Sequence, residues 1–355
     1  MDSLTQFTLG AAVSAVCLGK VLGPRKAVLL GGLLGTLPDL DVFLPVDNPV
    51  DAFVFHRGWT HSFFVHALAA PVIGEVLVRS FKTLRDHRML VWLTVFLCFT
   101  THAMIDAMTV YGTRIFWPFY PDPVGVGSVF IIDPLYTVPL LIAVIWALFS
   151  KSWTSRLGKV LATALVFSTA YMGLSVVLQA QAEKRAKVIF ANAGIDAQNV
   201  FAIAAPFNTV VWKVIGQEED RYHNLYLSLF DDDDQARLYS HPTRQDLTAC
   251  LENIDAFQKL NWFSRGYLKT ALQDGKIIIS DLRMGLTPTY VFRFIVADYS
   301  GGTITPTPPT ALARDVSTLN EDLNWLTERF WGRPAIRAAE TIKTGPESAA
   351  QPAAC

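Results

Sequence analysis

The stretch Leu37-Pro38-Asp39-Leu40-Asp41, with His56-Arg57-Gly58-Trp59-Thr60-His61-Ser62 shortly after it, decides how this chain is read. Two carboxylates and two imidazoles stand close together, and long apolar segments flank them on both sides. Ionisable side chains at the edge of a membrane-embedded region are expensive to keep there, so a functional site is the default expectation.

The surrounding composition agrees. Of 355 residues, 51% are hydrophobic and 17% charged, whereas a soluble domain carries about a quarter charged residues. The charge deficit lies in the first half. The chain therefore divides into a membrane domain over 1–180, an α+β soluble domain over 181–335 and a disordered tail over 336–355. A formal net charge of −1 gives no reason to expect a nucleic-acid partner. Cys17, Cys98, Cys250 and Cys355 form no CxxC pair, so they identify neither a zinc finger nor a redox compartment. No basic region precedes the first apolar run, which is read as part of the mature protein.

The expected fold class is an α-helical membrane bundle followed by an α+β domain. Leu4 to Gly19 and the Gly-rich Ala27 to Leu37 are short for full spans and read as a packed helical hairpin. Four longer spans are expected at Ser62 to Val78, Met89 to Val110, Val129 to Phe149 and Leu157 to Ala180. Their connections sort by charge. Lys20, Arg25 and Lys26, then Arg79, Lys82, Arg85 and Arg88, then Lys151, Arg156 and Lys159 fall on alternate connections, with Asp39, Asp41, Asp47, Asp51, Asp122 and Asp133 on the others. The basic set is expected on the cytoplasmic side and the acidic set outside. Strand-like runs at Thr209 to Ile215, Tyr222 to Phe230, Lys276 to Ser280 and Thr289 to Val296 mark the second half. Asp231 to Asp234 reads as a solvated turn, and Thr303 to Thr310 as a linker or extended segment.

That charge sorting gathers the chemistry at one face. His102 and Asp106, four apart, stand one helical turn from each other, so both can reach one divalent ion, about 2.0–2.2 Å away for zinc; a plain His-Asp hydrogen bond is the simpler alternative. Arg57-Gly58 suggests a turn that folds His56 and His61 onto the same centre. Arg57 either holds a substrate anion by bidentate hydrogen bonds or pairs with Asp39 or Asp51. Asp39 and Asp41 are ligands, orienters of a ligand imidazole or helix caps. His66 reads as a packed histidine, and Asp133 as a cap of the following helix. With no cysteine at hand, nitrogen and oxygen donors fit zinc, manganese or non-haem iron. No GxSxG elbow, Walker loop or GxGxxG turn competes as an active site.

These motifs resemble a known family. Asp2-Ser3-Leu4-Thr5-Gln6, Leu37 to Asp41, His56 to Ser62, His102 to Asp106, Phe116-Trp117-Pro118-Phe119 and Asp133-Pro134-Leu135-Tyr136 are similar to the YdjM-like membrane-bound metal-dependent hydrolases. The resemblance implies a divalent metal, hydrolysis and the bacterial inner membrane. Many members have His where this chain has Gln6, so here the site has one ligand fewer or uses Asp2. A looser similarity to zinc-dependent phospholipases C makes a phosphoester the expected substrate class.

The expectation is therefore a membrane-bound hydrolase with a metal, zinc first, held by His56, His61, His102, Asp106 and Asp41, with Asp39 as general base and Arg57 on the substrate. Its partners would be membrane lipid and a small or lipid-linked substrate. The alternative is a non-enzymatic membrane protein whose metal is structural and whose second domain binds a partner. Transport sites tend toward the bilayer midplane, which disfavours a transporter.

Overall fold

The computed structural model describes residues 1–232 and 236–341, as two units. The first comprises Met1–Leu44, His56–Val177 and Pro206–Asn208. It opens with helix α1 (Ser3–Leu22), whose cap is Asp2: the Asp2 side chain accepts from the backbone N–H groups of Leu4 and Thr5. Gly23, at φ 81, turns the chain into α2 (Pro24–Thr36), with Pro24 in its first turn. These two helices touch along glycines. A Cβ on Gly10 would collide with the Gly31 carbonyl, and one on Gly35 would lie 2.6 Å from the Gln6 carbonyl. Small residues permit this approach.

A 3-10 helix, Pro38–Phe43, follows α2 directly. Helix α3 (Pro49–Phe55) belongs to the second unit. A short 3-10 turn, Trp59–His61, then leads into α4 (Phe63–Ser80), capped by the Ser62 hydroxyl. After the 3-10 segment Lys82–His87, α5 (Arg88–Met108) runs back. Helix α6 (Pro134–Phe149) starts on the Asp133 cap, and α7 (Ser155–Asn192) ends the run. Leu68, Val72 and Val76, one turn apart on α4, are all exposed, a stripe that suits lipid and not water.

Among the described residues, four helical stretches are long and apolar enough to cross a membrane: Ser3–Leu22, Phe63–Ser80, Lys82–Met108 and Ser155–Asn192. The expected class holds, but two members trade places. The first helix of the hairpin runs for 20 residues, because nothing before Gly23 breaks it. The expected span from Val129 is shortened to 16 residues, because Asp133 and Pro134 fix its start.

The second unit comprises Pro45–Phe55, Leu178–Ala205 and the chain from Thr209 onward. Strands β1 (Asn199–Ala204), β2 (Val211–Gln217), β3 (Arg221–Ser228) and β4 (Arg237–Pro242) form an antiparallel sheet in that order. Helices α8 (Gln245–Cys250) and α9 (Asp255–Ser264) come next. A second antiparallel sheet contains β5 (Leu268–Gln273), β6 (Lys276–Asp281), β9 (Arg293–Ser300) and β10 (Thr303–Ala311), in the order β10-β9-β6-β5, with the hairpin β7 (Gly285–Leu286) and β8 (Thr289–Tyr290) beside it. Helix α10 (Leu319–Phe330) and the short α11 (Ala338–Thr341) finish the described chain.

One open expectation is decided here, in favour of an extended segment, and two change. Thr303 to Thr310 is a paired edge strand, which its three prolines tolerate because an edge leaves N–H groups unused. Asp231 is buried and ion-paired with Arg329, not solvated; Asp233 and Asp234 lie outside the described residues. The tail expected from 336 begins with packed residues, since Arg337 and Glu340 are buried. Its remainder from 342 lies outside the described residues.

Candidate metal centre

One end of the first unit collects the chemistry because chain order alternates the helices. The start of α1, the end of α2, the start of α4 and the end of α5 all meet there. Asp39 comes from the 3-10 helix after α2, His61 from the turn before α4, and His102 and Asp106 from the last turns of α5.

Four atoms converge. His61 Nε2 and His102 Nε2 are 3.1 Å apart. Asp39 Oδ1 lies 3.3 Å from His61 Nε2 and 3.4 Å from His102 Nε2. Asp106 Oδ2 lies 3.4 Å from each of the same two nitrogens. The set closes with Asp39 and Asp106 within 4.8 Å of each other. Five of the six separations are thus 3.1–3.4 Å, and a regular tetrahedron with edges of about 3.3 Å has its centre about 2.0 Å from each corner, the distance at which zinc binds nitrogen and oxygen.

The neighbours aim these atoms inward. His102 Nδ1 donates to the Gly35 carbonyl at 2.6 Å, which leaves the Nε2 lone pair facing the centre. His61 Nδ1 lies 3.0 Å from Thr60 Oγ1, whose own proton goes to Asp41 Oδ2 at 2.8 Å. The hydroxyl lone pair is therefore free to accept from His61 Nδ1–H. Asp41 Oδ2 also accepts from the Arg57 N–H at 2.9 Å, and Asp41 Oδ1 faces His56 Nδ1 at 2.8 Å. Arg57 sits at φ 60, and the Arg114 N–H donates to its carbonyl at 3.0 Å, so the later loop pins this turn.

Asp106 is fully buried. Its Oδ1 accepts from the Met1 amine and from Gln6 Nε2 at 2.9 Å. Its Oδ2 is ion-paired with Arg57 Nε at 3.3 Å yet accepts no well-aligned hydrogen bond. A buried carboxylate oxygen left in that state and turned toward two imidazole nitrogens fits a cation. Burial by itself would raise the Asp39 carboxyl, and hydrogen bonds from His102 and His61 outweigh it, holding the group below the usual carboxylate range. Asp41 is likewise lowered: burial opposes this, and the hydrogen bond and charge of His56 prevail. Burial would lower His61, and the neighbouring Asp106 and Asp39 carboxylates raise it instead.

The structure thus brings Asp39, His61, His102 and Asp106 to one centre. Asp41 and His56 stand beside it, and with Asp39 they form a neighbouring group. Arg57 pairs with Asp106 and not with Asp39. It is buried against Asp106 and Thr109 and lies over the Tyr111 ring at 5.0 Å. Asp51 is in the second unit, bound to Lys259 at 2.7 Å. Asp2 and Asp133 are caps, Asp133 also accepting from Tyr171 Oη at 2.8 Å. Gln6 steadies Asp106, and His66 bonds the Thr60 carbonyl at 2.8 Å. Sequence reasoning missed Gly35, Thr60 and the Met1 amine. Thr60 was visible in the motif; a backbone carbonyl carries no residue-type signal.

The fold and the cluster define a membrane protein with apolar helices and a His/Asp group able to hold a metal at one end of them. The chain belongs to the YdjM inner membrane protein family, whose model matches residues 1–182. It is also similar to the uncharacterized protein YfhP of Bacillus subtilis (strain 168), at 30% identity over 153 residues. That match covers 41% of this chain and 46% of the relative, so the chain spans about half the length of the curated relative it matches. No solved structure matches the chain.

Proposed function

We infer that this chain is a metal-dependent hydrolase that acts at the membrane surface on a phosphoester carried by a lipid or another small molecule. The observation that carries the metal in this reading is the convergence of Asp39, His61, His102 and Asp106. Two nitrogens and two oxygens in that geometry favour zinc, ahead of manganese or iron, which prefer more ligands. A divalent cation supplies a Lewis acid for a phosphoryl oxygen and acidifies water at neutral pH.

The protein's own groups do the rest. Asp39 is the cluster member with solvent access, so a substrate would meet the centre on its side. Arg57 neutralises buried Asp106 and adds positive potential for an anionic substrate, without touching solvent itself. The Lys- and Arg-bearing connections at the other ends of the helices support a periplasmic site by the positive-inside rule. A C-terminal fusion to an enzyme active only in the periplasm tests that orientation; activity confined to a cytoplasmic reporter reverses it.

Elemental analysis of protein purified under metal-replete conditions tests the centre. About one zinc or more in the wild type, lost in Asp106→Ala, together with chelator-sensitive cleavage of phosphoesters, is expected. Equal, near-zero metal in both proteins overturns the reading. A second reading keeps the metal but not the activity: a structural ion, with the second unit binding a partner. Four protein ligands on one ion favour it, because structural zinc sites are closed in this way. Under it, chelation unfolds the protein and no ester is cleaved.

A further inference from the structure

The geometry points to a second cation site beside the first, held by Asp39, Asp41 and His56 and sharing the Asp39 carboxylate. The inference rests on the proposed metal centre and goes beyond it in the number of ions and in where a substrate meets them. Its origin is a shortage of open positions. Four protein atoms complete the first centre, and His61, His102 and Asp106 are at most 1% exposed. A tetrahedral ion with four protein ligands leaves no place for water or substrate, whereas a catalytic ion keeps one. The buried centre alone is built to be structural.

The neighbouring group supplies what is lacking. One ligand atom each from Asp39, Asp41 and His56 lies within 4.8 Å of the others. Asp39 turns Oδ1 to both His61 and His102, which leaves its second oxygen for another ion. Asp41 Oδ2 is taken by the Arg57 N–H and the Thr60 hydroxyl, and its Oδ1 faces His56 Nδ1 at 2.8 Å. A carboxylate oxygen and an imidazole nitrogen at that spacing share either a proton or a cation. Two features favour the cation. A third donor from Asp39 stands beside the pair, and the group is open to solvent, with the side chains of Asp39 and His56 exposed by 24% and 21%. Three protein donors leave coordination positions vacant for a ligand. Two cations joined by one carboxylate form the arrangement that clamps both the attacking and the leaving oxygen of a phosphoester. The buried ion then holds the scaffold and the exposed ion meets the substrate.

Full-length protein in detergent, stripped with chelator and reloaded with Mn2+ alone, tests this by elemental analysis and electron paramagnetic resonance. Two ions per chain and a spin-coupled pair signal are expected in the wild type. His56→Ala, and independently His56→Gln, should fall to one ion and give the spectrum of isolated Mn2+, with the helical circular dichroism kept. One uncoupled ion in the wild type, unchanged by either substitution, overturns the second site and leaves the first standing. No bound ion in the wild type after reloading with Mn2+ and, in a parallel sample, with Zn2+ overturns both.

Discussion

His102 Nδ1 donates to the carbonyl of Gly35 at 2.6 Å, so the end of α2 sets the tautomer and tilt of an imidazole on α5. That carbonyl is where it is because Gly35 has no side chain. A Cβ there would meet the Gln6 carbonyl at 2.6 Å and Gly10 Cα at 3.0 Å, backbone atoms that cannot swing aside. Gly35→Ala should therefore push α2 outward, lower stability by about 1–3 kcal/mol as overpacking does, and weaken metal binding. Thermal unfolding and zinc titration check the two effects separately.

Thr60 relays Asp41 to His61. Thr60→Val keeps the shape and removes the hydroxyl, so His61 Nδ1 loses its acceptor and Asp41 loses a donor. A loss of about 10–100-fold in metal affinity is expected, the usual scale for groups that orient a ligand. Thr60→Ser should restore most of it. Competition titration against a fluorescent chelator measures the series.

Asp106 and Arg57 are a buried pair. Asp106→Asn removes a proposed metal ligand and leaves both the buried Arg57 guanidinium and the buried Met1 amine without their carboxylate, which costs about 3–5 kcal/mol. Adding Arg57→Met to it should recover part of the stability, the Met1 amine staying unpaired, but none of the metal. Recovery of metal in the double variant would count against Asp106 as a ligand. Melting temperature and elemental analysis on the same samples separate the two roles.

Acid should loosen the second unit through Glu340. This buried carboxylate accepts from His241 Nε2 and Tyr226 Oη, each at 2.5 Å, and from Asn224 and Arg337. Burial by itself would raise Glu340, and the His241 and Tyr226 bonds with the Arg337 charge outweigh it, so its pKa is lowered. A carboxylate lowered on folding stabilises fully above its unfolded pKa of about 4.3. That stabilisation is lost as the pH falls through the folded value. The wild type should thus lose β-sheet stability below about pH 5, while Glu340→Gln, weaker at pH 7, changes less over the same range. Thermal loss of the amide I β-sheet band against pH decides it.

The sequence by itself determined a great deal. Apolar runs and their charged connections are local properties, so the membrane half, the sheet-rich half and the family were legible from composition and motif. So were His61, His102, Asp106 and Asp39, because ionisable groups beside apolar helices stand out. What only the tertiary structure decided was the partition among them. Asp41 and His56 fall beside the first centre and not in it, and Arg57 is turned inward onto Asp106. The Gly35 carbonyl, the Met1 amine and Gln6 hold His102 and Asp106 from helices distant in sequence. Helix packing at Gly10, Gly31 and Gly35 sets those distances to tenths of an ångström. Residue types alone carry no information on that scale, because which of two neighbouring carboxylates reaches an imidazole depends on how closely two backbones approach.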